Sequence, residues 1–243
     1  MVDTPQEIKE KRFGRVIPIL LVFSGLLALG LVFRWGRPVK PVVRVEWEGQ
    51  KYLTPTDLLV YLGTDAESPN MSDWKDWETK LSRHPRIKKV RITRDPDGFL
   101  LVHIEEKVAE FVIHVGSSLY EVDENLEILS KDQVLNVHLI VISGSFVVGE
   151  QKLEGRQIFD ITKEMRYALS LYPALSTRIS ELVAERDGNY TMYLKSPKSM
   201  KVFIGDKLEI NVFRKLYASL AYMEAESIKA VSIDLRGEDA VYH

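Results

Sequence analysis

The chain has 243 residues, with 33 Lys and Arg against 35 Asp and Glu, a hydrophobic share of 45% and no Cys. That hydrophobic share excludes wholesale disorder, and the lack of Cys excludes disulfides, Cys-ligated metal centres and a Cys nucleophile. The formal net charge of −2 supplies no basic field of the kind that attracts nucleic acid, so no nucleic-acid partner is expected.

The first element is an uncharged apolar run of 18 residues from Val16 to Phe33. As a helix it would span roughly 27 Å, close to the hydrocarbon thickness of a bilayer. A cleaved signal peptide is the alternative, but its apolar core usually has only about 7–15 residues, so an uncleaved anchor is favoured.

The Lys and Arg residues beside this run are divided equally, four on each side, so the positive-inside rule gives no orientation. A short head normally stays inside while a large folded domain is exported. We therefore predict a cytoplasmic head over residues 1–15, a transmembrane helix over 16–33 that contacts the lipid bilayer, and a linker over 34–41, in a single-pass protein with its N-terminus inside.

Residues 42–108 are predicted to form strand, helix, helix, strand and strand, in that order. Alternating apolar residues mark the three strands, which begin near Val43, Val90 and Leu100. The first helix begins at the capping residue Thr54. Trp74 and Trp77 share one face of the second helix, either as a binding platform or, as we favour, as core. The order indicates an α+β unit with two helices on a three-stranded sheet.

This order of elements resembles a POTRA domain, a small module of exported and membrane-assembly proteins. The segment His84-Pro85-Arg86-Ile87-Lys88-Lys89-Val90-Arg91-Ile92, followed by the stretch from Asp95 to Ala109, is similar to the signature of the FtsQ/DivIB family of bacterial cell-division proteins. Three positions depart from the family pattern: Arg86 replaces a usual Trp, Val108 a usual Pro, and Asn125 a usual Gly.

Residues 109–243 are predicted to form a mixed or antiparallel β-domain with two helices. The expected strands and apolar runs lie at 111–115, 118–122, 126–129, 134–142, 179–186, 190–194, 200–204 and 229–236. The helices are expected from about Ile158 to Tyr172 and from Glu209 to Ser227. A strand-like edge, 240–243, ends the sequence.

The second half also resembles the FtsQ/DivIB family in the order of its motifs. The matching blocks are Arg186–Leu194, Val202–Gly205, Phe213–Leu216 and Ile233–Arg236. The resemblance implies that the last strands capture the FtsB-type member of an FtsB–FtsL pair by adding a strand to the sheet. The residues that match the family's partner-binding positions are Arg186, Gly237, Val241 and Tyr242.

Motifs for catalysis, metals or cofactors are not found in the sequence. The five His have no metal-binding spacing, and no nucleophile elbow, Walker loop or dinucleotide fingerprint occurs, so no metal and no cofactor is expected. Glu105 and Glu106 are adjacent on a predicted strand and point to opposite faces, so they form no catalytic pair there. The basic run 88–94 is interpreted as the solvated face of a strand, although a lipid or polyanion patch is an alternative.

The resemblance therefore implies a non-catalytic divisome scaffold in the inner membrane, concentrated at the division septum. It would bind FtsB/FtsL-like proteins and other divisome membrane proteins outside the cytoplasm, and link early to late division proteins that control septal peptidoglycan synthesis. The alternatives are another POTRA-containing envelope assembly or secretion factor, and an anchored cell-wall enzyme.

Overall fold

A computed structural model describes residues 24–27, 41–65, 71 and 73–243. The predicted anchor, 16–33, lies outside the described residues except for 24–27, which are helical, and the head and most of the linker lie outside them as well. Within the described part of the chain, no helix is long and apolar enough to cross a membrane.

The chain is α+β and separates into two compact units. One unit is Met1–Glu46 with Thr93–Leu101, and the other is Trp47–Ile92 with Val102–His243. The side-chain clusters described below all belong to the second, larger unit.

The predicted order of strand, helix, helix, strand and strand is confirmed. The elements are β1 (Arg44–Glu48), α1 (Pro55–Tyr61), α2 (Trp74–Leu81), β2 (Ile87–Arg94) and β3 (Phe99–Glu106), and the strands lie in the order β1-β3-β2. Helix α1 begins where the sequence predicts, because Thr54 and Asp57 form a reciprocal capping box. The core interpretation of Trp77 is confirmed, since its ring is buried and stacks on Trp47 at 6.2 Å between centroids.

Residues 111–242 form a nine-stranded sheet, a two-stranded hairpin, two long helices and a short 3-10 helix. The elements are β4 (Phe111–Val115), β5 (Ser118–Val122), β6 (Ile128–Lys131), β7 (Ile140–Ser143), β8 (Val147–Val148), β9 (Leu153–Glu154), α3 (Arg156–Leu171), a 3-10 helix (Pro173–Thr177), β10 (Ile179–Ala184), β11 (Tyr190–Leu194), β12 (Met200–Gly205), α4 (Ile210–Ala225), β13 (Ser232–Asp234) and β14 (Val241–Tyr242). The large sheet has the order β14-β13-β12-β11-β10-β7-β4-β5-β6 and is mixed, because β7 runs parallel to β4 and β10, and β13 parallel to β12.

The core of this part joins the two helices to one face of the sheet. Apolar residues of α3 and α4 recur at helical spacing, and alternate residues of the strands point towards them. Buried members of this cluster include Ile113, Ile142, Leu182, Met192, Val202, Ile161, Met165, Phe213 and Leu216. The other face of the sheet is therefore free to carry polar and partly exposed side chains.

Two predicted strands are shorter than their apolar runs. Only the last three residues of the run 134–142 belong to a strand, Ile140–Ser143, because the amides of Leu135 and Asn136 donate to the Glu121 carboxylate instead of to a neighbouring strand. Only Ser232–Asp234 of the run 229–236 is a strand, and there the N–H of Arg236 donates to the side chain of Asp234. In both places a side-chain carboxylate accepts hydrogen bonds from backbone N–H groups that would otherwise pair with a neighbouring strand.

Candidate functional site

The terminal strand β14 lies at the edge of the nine-stranded sheet, as the sequence predicts for the end of the chain. Its inner side pairs with β13, and the N–H and C=O of His243 both bond to Ser232. In an antiparallel ladder the next residue along points its main-chain groups the other way, so the N–H and C=O of Tyr242 face outwards. Among the described residues, no strand pairs with that outer side.

The two faces beside this edge differ in chemistry. Tyr242 is in register with the buried Ile233, on the helix-covered face, and its ring lies 6.3 Å from that of Tyr222 on α4. Val241 is in register with Asp234 on the opposite face and is 51% exposed. A strand added here would thus place one row of side chains against two tyrosines and the other beside Val241.

The structure places Arg186 and Gly237 at the same end of the sheet as Val241. Arg186 is exposed in the hairpin between β10 and β11, and Gly237 is exposed in the loop between β13 and β14. The carbonyl of Gly237 accepts a hydrogen bond of 2.5 Å from Nζ of Lys215. Arg186 and the terminal strand are three to four strands apart, which is about 14–19 Å. The four predicted residues therefore share one end of the sheet but do not form a single contact cluster.

A charged and aromatic row on the outer face approaches the edge. Arg236 donates to the Asp234 carboxylate, and this hydrogen bond lowers the pKa of Asp234 from 3.8 to about 2. Two cations lie close to the Phe203 ring. The guanidinium of Arg236 is 5.4 Å from the ring centre, and Nζ of Lys201 is 4.7 Å from the same centre. Sequence reasoning did not find this row, because it depends on the register of β12 with β13.

Three hydrogen-bonded polar side chains on neighbouring strands have the residue types of a hydrolase's catalytic triad, but they are connected in a different order. Nδ1 of His114 lies 3.2 Å from Oγ of Ser143, and that hydroxyl donates to Glu181 at 2.5 Å. In a catalytic triad the imidazole lies between the hydroxyl and the carboxylate, whereas here the hydroxyl lies in the middle. The Ser143 hydroxyl therefore links the three strands through its contacts with His114 and Glu181. Among the residues that the structure describes, no group of His, Asp and Glu has metal-binding geometry.

Lys88, Lys89 and Arg91 of β2 are exposed, which agrees with the solvated interpretation and equally with the alternative of a lipid or polyanion patch. Lys88 pairs with Glu105 at 2.7 Å, and Glu105 is exposed whereas Glu106 is buried, as the alternation predicts. The Glu106 carboxylate instead accepts the backbone N–H groups of residues 51–53.

The most unusual cluster is a fully buried ion pair that the sequence reading did not identify. The Arg86 and Glu121 side chains are 1% and 0% exposed, and Nη2 of Arg86 donates to Oε2 of Glu121. The Tyr52 ring lies 5.3 Å from the guanidinium. The sequence feature that could have revealed this ion pair is Arg86 itself, which stands where the family pattern has Trp. A buried Arg requires a carboxylate partner, but the sequence does not show which carboxylate it is.

No protein-family model matches the chain, and no curated protein matches it either.

Proposed function

We propose that the protein is a non-catalytic scaffold of the FtsQ/DivIB type that binds membrane-anchored division proteins at its terminal strand. The observation that carries this proposal is the open outer edge of β14, where the main-chain groups of Tyr242 face outwards. An open edge is a template for an added strand, and main-chain hydrogen bonds supply affinity without a catalytic group.

The side chains around the edge indicate what kind of strand it takes. On the helix side, Tyr222 and Tyr242 offer an aromatic surface that fits an apolar side chain of the incoming strand. On the outer side, Val241 offers an apolar contact, and beside it lie the Arg236–Asp234 ion pair and the Lys201 ammonium over the Phe203 ring. An alternating strand from an FtsB-like protein, with FtsL-like and other divisome membrane proteins beside it, is the partner we propose.

The remaining parts of the proposal concern the membrane. The run Val16–Phe33 would anchor the chain in the inner membrane with a cytoplasmic head, residues 42–108 would be a POTRA domain, and residues 109–243 an FtsQ-type β-domain. Support comes from the length of the uncharged run and from the order of elements in the exported part. This arrangement would place the terminal strand outside the cytoplasm, where it would link early to late division proteins.

Localisation of the full-length chain, fused at its N-terminus to a fluorescent protein and expressed at native level, tests this function. We expect a ring at midcell in dividing cells. A uniform envelope signal in normally growing cells would contradict the division role and favour another POTRA-containing envelope factor. Co-purification of an FtsB-like coiled-coil protein with the same fusion distinguishes the scaffold from a cell-wall enzyme.

A further inference from the structure

Residues 132–139, here called the 132–139 loop, connect β6 to β7 across the outer face of the sheet. The loop is rich in apolar residues, yet Leu135 is 42% and Val137 78% exposed. It begins at Asp132, which has a positive φ of 57° and whose N–H donates to the carbonyl of Leu119 at 2.7 Å. An apolar segment that points two side chains at solvent must be held in place by something other than burial.

The Glu121 carboxylate attaches the middle of the loop, whereas Asp132 and the carbonyl of Gln133 bond to β5 and β6 at its start. Oε1 of Glu121 accepts the N–H of Leu135 at 3.0 Å and that of Asn136 at 2.9 Å. Its Oε2 accepts from Arg86, and Oγ of Ser130 lies 2.8 Å away. One buried carboxylate therefore gathers donors from the loop, from β6 and from the residue that precedes β2.

The arrangement also connects the loop to a distant part of the sequence. Arg86 precedes Glu121 by 35 residues, and its backbone carbonyl accepts the N–H of Lys107 at 2.8 Å. Nδ2 of Asn136 lies 3.4 Å from the hydroxyl of Tyr52, whose ring covers the Arg86 guanidinium. A change at Arg86 should therefore reach the loop through Glu121, although the two lie on different elements.

We propose that the Arg86–Glu121 ion pair acts as a conformational latch. It holds the 132–139 loop against the sheet, and loss of the pair lets the loop open locally while the rest of the sheet stays folded. Segments with few buried apolar contacts and few ladder hydrogen bonds open locally at a lower free energy than the core. Loss of the Glu121 carboxylate would free the N–H groups of Leu135 and Asn136 at once. The proposal does not depend on the proposed function, because the loop and Glu121 lie near the opposite edge of the sheet from β14.

Amide hydrogen exchange of the full-length chain in detergent micelles, followed by mass spectrometry of peptides that cover 132–139, tests the latch. In Glu121→Gln one acceptor oxygen is replaced by a donor NH2, so the four donors around it can no longer all be satisfied. We expect exchange over 132–139 to accelerate by roughly tenfold or more beyond any acceleration over β10 to β12. Arg86→Lys, which keeps the charge but loses the planar guanidinium, should accelerate the same peptides to a smaller extent.

The control is Glu127→Gln, which removes the partly exposed pair of Lys107 and Glu127 and should leave exchange over 132–139 at the wild-type rate. Wild-type exchange of the loop in Glu121→Gln would overturn the proposal. So would uniform acceleration across the whole sheet in both Arg86→Lys and Ser130→Ala, because the loop would then open only with global unfolding. If Glu121→Gln does not fold, these two milder variants decide between local and global opening.

Discussion

Replacing Arg86 by Met leaves the Glu121 carboxylate buried without its counter-charge. Both side chains are almost completely excluded from water, so the lost attraction is not replaced by hydration. Removing one partner of such a pair typically costs about 3–5 kcal/mol of the free energy of unfolding. At a urea m-value of about 2 kcal/mol/M, the midpoint of unfolding should fall by about 1.5–2.5 M.

Urea titration of the full-length chain in detergent micelles, monitored by tryptophan fluorescence, measures this shift. Trp47 and Trp77 stack within the same compact unit as Arg86 and report on it directly. The matched control is Lys107→Met, whose pair with Glu127 is 27% and 47% exposed and should contribute no more than about 1 kcal/mol. A loss below about 1 kcal/mol in Arg86→Met would instead mean that the Glu121 carboxylate is hydrated or otherwise satisfied without Arg86.

Two further predictions concern backbone geometry and pH. Gly49→Ala should destabilise the chain by more than about 2 kcal/mol in the same titration, because φ is +84° and the new Cβ would lie 2.2 Å from the carbonyl oxygen of Ile104. Gly63→Ala, also at positive φ but in open space, should cost only about 1 kcal/mol; equal losses would contradict the steric argument. The pKa of Asp234, measured by NMR, should be about 2 and should rise towards 3.8 in Arg236→Gln. Because the folded pKa is the lower one, this pair stabilises the fold above about pH 4, and the stabilisation should disappear as the pH falls towards 2.

Local sequence signals predicted most of the elements because each signal acts over a few residues. The capping box at Thr54 fixes the start of α1, and the alternation around Val102 fixes β3 with its buried and exposed faces. The position of β14 at an edge also followed from the sequence through the family resemblance. These features need no knowledge of distant contacts.

The features that the sequence did not reveal depend on long-range contacts. Val134 to Leu139 has the composition of a strand, but Glu121, more than ten residues earlier, withdraws the amides of the loop from any ladder. The Arg86 partner could not be named from the sequence for the same reason. The separation of Arg186 and Tyr242 by several strands is also visible only in the sheet topology, and it leaves their predicted role in partner binding untested.

One pair of variants determines whether a partner strand bonds to the outward-facing main chain of Tyr242. Tyr242→Ala removes the aromatic ring but keeps the outward N–H, whereas Tyr242→Pro removes both, and proline is tolerated where an edge N–H faces solvent. Full-length chains in detergent micelles are used to capture the FtsB- and FtsL-like proteins of the same genome. We expect reduced capture by Tyr242→Ala and almost none by Tyr242→Pro. Equal capture by both variants would contradict strand addition at β14.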